Sequence, residues 1–250
     1  MTAKRIIPCL DVLNGKVVKG TNFQGLQYAG PAKELAGKYY GDGADELVLL
    51  DISATIERRK TMQETVKEIA KELLIPLTVG GGIKCIDDIN GLLKCGADKV
   101  SINTAAIRDP KLVELAAKEF GSQCIVVSVD TKKTENGEMV FARSATSRTS
   151  LYTLDWAKKI EKYGAGEILL TSIDADGTRK GFGLEITRRV SEAAGIPVIA
   201  SGGAGTMEDF YMALVEGKAD AVLAASVFHY GIFTVGQLKE YLKGREVEVR

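Results

Sequence analysis

"IPLTVGGGI" spans residues 75–83 and "IPVIASGGA" spans residues 196–204. The two stretches lie 121 positions apart and share an Ile-Pro opening, a short apolar run and a glycine pair. A glycine-tipped strand written twice, half a chain apart, points to a duplicated unit, and the spacing of the other strands supports it. Short β-branched runs at 5–12, 46–53, 77–81, 99–103, 125–130, 167–174, 198–203 and 221–226 predict eight strands. Most are nearly continuous apolar runs, as parallel strands covered on both faces require. Their starts step by 41, 31 and 22 residues from position 5, and by 42, 31 and 23 from position 125.

Between the strands lie amphipathic stretches with legible ends. "TMQETVKEIAKEL" pairs Thr61 with Glu64 in capping-box spacing. "DPKLVELAAKEFG" offers Asp109 as cap, Pro110 at the first helical position and Gly121 as the stop. "TLDWAKKIEKYG" ends at Gly164 in the same way, with Trp156 expected to face the core. Eight strands alternating with helices predict a (β/α)₈ TIM barrel built from two homologous (βα)₄ halves, about 1–122 and 123–250, in one domain. An open doubly wound sheet is the alternative; the matched spacing of the halves favours closure.

Bulk composition narrows the function classes. The chain has 33 basic and 33 acidic side chains, which argues against a nucleic-acid partner. No apolar run reaches membrane-spanning length, and the strand-like opening leaves no room for a signal peptide, so a cytoplasmic protein is expected. Cys9, Cys85, Cys95 and Cys124 show no CxxC spacing and do not cluster with the single histidine, His229. Neither a metal nor a cofactor is expected.

In a barrel the reacting end is where strands finish and βα loops begin. Gly81-Gly82 end the third predicted strand and Gly202-Gly203 the seventh. The next strands end in Asn103-Thr104 and Ala225-Ser226, each offering a hydroxyl and amides at a helix start. Glycine lets an anion approach backbone N–H groups, so each half carries a candidate phosphate cradle; a pair of tight turns is the plainer reading. The polar loop "SIDADGTRKG" places Asp176 and Gly177 near the second cradle, while Asp-Gly is also an ordinary turn. Thr171 and Ser201, near the tops of the sixth and seventh strands, join the candidate substrate contacts.

Asp11 and Asp130 end the first and fifth strands, 119 residues apart and equivalent in the two halves. Those strands face each other in an eight-stranded barrel, so two carboxylates bracket whatever stretches between the cradles, as a general acid and a general base would. Which is acid and which is base stays open. Each is followed by an Asn-Gly pair (Asn14-Gly15, Asn136-Gly137), predicting a small hairpin lid. At the opposite mouth, strand parity stacks Arg5 below Asp11, Glu46 below Leu50, Lys99 below Asn103 and Glu167 below Thr171. Two cations and two anions of shared parity predict a ring of salt bridges; solvated strand starts are the alternative.

The stretches "RIIPCLDVLNGKVVKGTNF", "VGGGIKC", "ADKVSINTAAIRDP", "LLTSIDADGT" and "IASGGAG…AASVF" resemble the cyclase subunit of imidazole glycerol phosphate synthase, in order over nearly the whole chain. That resemblance implies a substrate with a phosphate at each end, a phosphoribulosyl formimino aminoimidazole carboxamide ribonucleotide. With ammonia it yields imidazole glycerol phosphate and aminoimidazole carboxamide ribotide. It implies catalytic roles for Asp11 and Asp130, substrate contact by Lys19, and phosphates near Gly82, Asn103 and Thr104 and near Gly177, Gly203, Ala225 and Ser226. It further implies that Arg5, Glu46, Lys99 and Glu167 form a gate for ammonia from a glutaminase docked beneath. No cysteine here lies in a Gly-x-Cys-x-Gly elbow, so nitrogen is expected from that separate partner, with Asp98 at the contact. The second half carries one extra residue near Lys218. The rivals are the sibling sugar isomerase, which shares the duplicated barrel and needs no ammonia, and a catalytically silent phosphosugar-binding scaffold.

Overall fold

The computed structural model describes residues 3–13, 15–21, 24–52, 56–143 and 145–250. In chain order its strands are β1 (Arg5–Leu13), β2 (Lys16–Thr21), β3 (Gln24–Pro31), β4 (Leu47–Asp51), β5 (Leu77–Gly80) and β6 (Lys99–Ile102). They continue with β7 (Ile125–Thr134), β8 (Gly137–Ala142), β9 (Ser147–Tyr152), β10 (Glu167–Ser172), β11 (Val198–Ser201) and β12 (Ala221–Ala224). The parallel pairings run β10-β11-β12-β1-β4-β5-β6-β7, and β7 pairs back onto β10, so the sheet closes into an eight-stranded barrel. These eight are the runs read as strands from the sequence. The antiparallel strands β2 and β3 follow β1, and β8 and β9 follow β7. Each half therefore carries its hairpin at the equivalent place, as the two Asn-Gly pairs predict; Asn14 itself lies outside the described residues.

Helices α1 (Ala32–Gly41), α2 (Ile56–Ala70), α3 (Ile86–Lys94), α4 (Thr104–Arg108) and α5 (Lys111–Phe120) surround the first half. Around the second lie α6 (Thr153–Lys162), α7 (Leu184–Ala193), α8 (Met207–Val215), α9 (Ser226–His229) and α10 (Val235–Gly244). The expected ends of α5 hold: Asp109 Oδ1 accepts from the Lys111 N–H at 3.1 Å, and Gly121 stops the helix at φ 89. The end of α6 holds too, with Gly164 at φ 93 and Trp156 buried beneath it. The Thr61 cap does not. Helix α2 begins at Ile56, five residues earlier, because "IERRK" is itself helix-forming and carries the pattern back toward residues outside the description.

The strands sort their side chains by parity into two apolar bodies. Outward residues such as Ile6, Leu10, Leu49, Val100 and Val127 join the helix layer. Inward residues, among them Ile7, Cys9, Val48, Val126 and Leu169, pack together inside the barrel.

A finer repeat appears at the lower rim. Asp45 Oδ2 accepts from the Ile6 N–H (2.8 Å), Asp98 Oδ2 from the Leu77 N–H (2.8 Å) and Asp220 Oδ2 from the Val198 N–H (3.0 Å). Each Asp stands one or two residues before a strand and ties down an amide at the start of a neighbouring strand. The extra residue of the second half is absorbed beside one of these. Lys218 stands before Ala219-Asp220 as Gly96 stands before Ala97-Asp98, and takes up the left-handed backbone at φ 54.

Candidate active site

A cleft of about 720 Å³ opens at the C-terminal ends of the barrel strands, and Asp11 and Asp130 both line it. Their strands lie four places apart in the ring of eight, on opposite walls. Asp11 is buried, with the Cys9 thiol donating to Oδ1 at 3.8 Å from one step lower on the same strand face. Asp130 is half-buried and accepts from Asn103 Nδ2 at 3.1 Å. Burial pushes the Asp130 carboxyl up to about 7; the Asn103 hydrogen bond works against that, and the nearby charge of Asp176 adds to it. Asp130 therefore changes charge near neutrality.

The glycine pairs have divided labour. A Cβ on Gly81 would sit 2.1 Å from the Asp51 carbonyl oxygen, and one on Gly202 would sit 2.8 Å from the Ser172 carbonyl oxygen. Asp51 and Ser172 are equivalent ends of the preceding barrel strands, so in each half the first glycine lets a neighbouring backbone close in. The second glycines differ. Gly82 (φ +68) has nothing within 4 Å of its absent Cβ, whereas Gly203 is covered by the Gly181 carbonyl, 2.0 Å from that position. The loop after β10 folds back there, with the Gly181 N–H donating to the Gly203 carbonyl at 2.9 Å.

The residues that open α4 and α9 share an uncommon backbone: Asn103 has φ −118 and ψ −89, Ala225 φ −121 and ψ −68. The two cradles thus share the backbone turn that opens their helices, while their second glycines differ in what covers them. Within the first, Thr104 Oγ1 donates to Asn103 Oδ1 at 3.3 Å and accepts the Arg143 N–H at 3.0 Å, so a chain of hydrogen bonds runs from the β8–β9 turn to Asp130.

The cleft brings together every candidate contact read from the sequence except Lys19. Gly82, Asn103 and Thr104 line it beside one carboxylate wall, with Thr171, Asp176, Gly177 and Ser201 toward the other. Gly203, Ala225 and Ser226 complete the second cradle. The Lys19 side chain lies outside the described residues, although its backbone belongs to β2. Among the lining features that escaped the sequence reading are Asp51, the Ser101–Ser128 hydroxyl pair at 2.6 Å, and the cations Lys84, Arg108 and Arg143. Strand parity places Ser101 directly below Asn103 and Ser128 below Asp130, so that pair was there to be found.

At the other end of the lumen the predicted ring of charges is closed. Arg5 Nη1 meets Glu46 Oε1 at 2.7 Å and Arg5 Nη2 meets Glu167 Oε1 at 2.5 Å. Lys99 Nζ completes the circuit to Glu46 at 3.2 Å and Glu167 at 2.9 Å. Burial opposes the charge on Arg5, but Glu167 and Glu46 together hold its pKa above the ordinary value. His229 stands apart from this chemistry, its Nδ1 2.6 Å from the Tyr39 hydroxyl behind the barrel wall.

Fold and cleft define a class: a TIM barrel whose mouth is constructed twice over, with a carboxylate and a glycine-tipped cradle from each half. Comparison with known proteins gives the family. Residues 5–234 match the family described as histidine biosynthesis protein. Proteins named imidazole glycerol phosphate synthase subunit HisF are similar from end to end. That of Dehalococcoides mccartyi is 57% identical over 250 residues, all of this chain and 99% of the relative. Those of Natranaerobius thermophilus and Saccharolobus solfataricus are 56% and 55% identical, each with both chains fully covered. The chain belongs to this histidine-biosynthesis family, within its imidazole glycerol phosphate synthase HisF subunits.

Proposed function

We propose that this chain performs the cyclase reaction. Ammonia and a bis-phosphorylated ribulosyl formimino aminoimidazole carboxamide ribonucleotide are converted to imidazole glycerol phosphate, aminoimidazole carboxamide ribotide and water, the water carrying away the ribulosyl carbonyl oxygen. The observation that carries the reading is the pairing of two carboxylates on opposite walls of one cleft with two cradles of matching backbone. A molecule with a phosphate at each end is held at both, and its middle comes under Asp11 and Asp130.

The chemistry asks for two proton transfers of opposite sense: the attacking nitrogen must lose protons, and the departing amine must gain one. Asp130, whose carboxyl is pushed up to about 7, is the acid. Asp11 is the base. Thr104, Ser226 and the open face of Gly82 hold the phosphates, and Lys19 is a further substrate contact.

Ammonia enters from below. The ring of Arg5, Glu46, Lys99 and Glu167 is the gate, and the lumen above it is largely apolar, suited to an uncharged molecule. A glutaminase subunit docks on the lower face. There Asp45 and Asp220 also meet lysines, Lys239 at 2.6 Å and Lys4 at 3.8 Å, whereas Asp98 is exposed and forms no ion pair among the described residues. Its second oxygen is the one offered to a partner. The test is spectrophotometric: purified protein, the bis-phosphorylated substrate and an ammonium salt. Substrate consumption is expected; folded protein that leaves the substrate intact overturns the assignment.

A further inference from the structure

Charge is shared unequally around the cleft. Among the described residues its cationic lining consists of Lys84, Arg108 and Arg143, and all three stand by the first cradle. Lys84 lies two residues after Gly82, Arg108 ends the short helix that Thr104 begins, and Arg143 donates its N–H to Thr104 Oγ1 at 3.0 Å. Among the described residues lining the second cradle there is no Lys or Arg; its charged neighbour is Asp176.

Arg143 differs from the other two cations in origin. It belongs to the second half of the chain and reaches the first cradle on the turn between β8 and β9. That turn is strained: Arg143 has φ 54 and Ala145 φ 65. Left-handed backbone costs a non-glycine residue about 1–2 kcal/mol, and such strain gathers where function requires it. The guanidinium is exposed, and Arg143 forms no ion pair among the described residues. Arg143, with no ion pair among the described residues, is thus placed beside an anion seat by its main-chain hydrogen bond to Thr104.

We propose that Arg143 is a phosphate-binding residue of the first cradle, lent by the hairpin of the other half, and that it makes this cradle the tighter of the two anion seats. The proposal rests on the bis-phosphate reading above and adds an order to it: the first cradle fills first and anchors the substrate. Guanidinium suits the task because its planar fork meets phosphate oxygens in pairs.

Inorganic phosphate is the probe, titrated into the full-length protein while backbone amide NMR shifts are followed at Gly82 and Thr104 and, separately, at Gly203 and Ser226. The first pair is expected to saturate at about tenfold lower phosphate than the second. Arg143→Gln should raise the first Kd about tenfold and leave the second unchanged, which also reports an intact fold, and Arg143→Lys should restore part of the loss. Equal affinities in the unaltered protein, or a first cradle indifferent to Arg143→Gln while both cradles still bind, overturn the role of Arg143 alone. Silence at both cradles overturns the bis-phosphate reading with it.

Discussion

Asp130 is held between two opposing influences that single substitutions can separate. The Asn103 hydrogen bond favours its charged form and the neighbouring Asp176 disfavours it. Asn103→Ala should therefore move the Asp130 pKa up from about 7, and Asp176→Asn should move it down. An acid must be protonated to act, so kcat/KM falls as pH rises through that pKa. The falling limb should shift to higher pH in the first variant and to lower pH in the second. Shifts of one sign in both would show that the limb belongs to another group. The glycines divide as cleanly. Gly81→Ala forces a Cβ to within 2.1 Å of a carbonyl and should cost about 3 kcal/mol or more, read as a fall in Tm. Gly82→Ala meets open space, so only its left-handed backbone is penalised, about 1–2 kcal/mol, while KM should rise at least tenfold through the obstructed anion seat. Sequence inspection sees two adjacent glycines with one role; only the neighbouring Asp51 carbonyl tells them apart.

Elements were legible where a single physical pattern governs them. The eight barrel strands announce themselves as buried apolar runs, the two hairpins by Asn-Gly, and the lower ring by strand parity. The start of α2 was not legible, since a capping-box spacing at Thr61 reads the same within a helix as at its end. Arg143 was not legible either, because its arrival at Thr104 depends on the bend of a turn that residue pattern does not encode. The ring also sets an energetic expectation. Arg5 and Glu46 are nearly enclosed, with side chains 8% and 3% exposed, while Lys99 is 16% exposed. Removing one partner of a buried pair strands the other charge, so Glu46→Ala should cost about 3–5 kcal/mol in denaturant unfolding. Lys99→Met leaves both glutamates with Arg5 and should cost only about 1–2 kcal/mol. Equal costs would mean that the ring does not act as drawn. Asp98 needs similar care, because its carboxylate also fixes the start of β5. Asp98→Asn keeps an oxygen for the Leu77 amide and removes the charge. It should impair glutamine-dependent turnover with added glutaminase and spare the ammonium-dependent reaction; loss of both would point to the barrel itself.

At the scale of the whole molecule, a strand pattern repeated in the two halves fits the proposed grip on a long substrate at both ends. Closure puts the equivalent strands β1 and β7 on opposite walls, so whatever one half offers, the other offers facing it. The halves then diverge in charge: cations gather at one cradle and Asp176 stands by the other. On the proposed reading, the backbone shared at the helix starts would supply two seats, and the unmatched side chains would give the substrate a direction. The most direct test of that central claim is to measure substrate affinity and turnover together in Asp11→Asn and Asp130→Val. Substrate binding close to that of the unaltered protein, with turnover lower by about 10²–10⁴-fold in each, is the predicted result. Full turnover in either variant, or binding lost together with turnover in both, would contradict it.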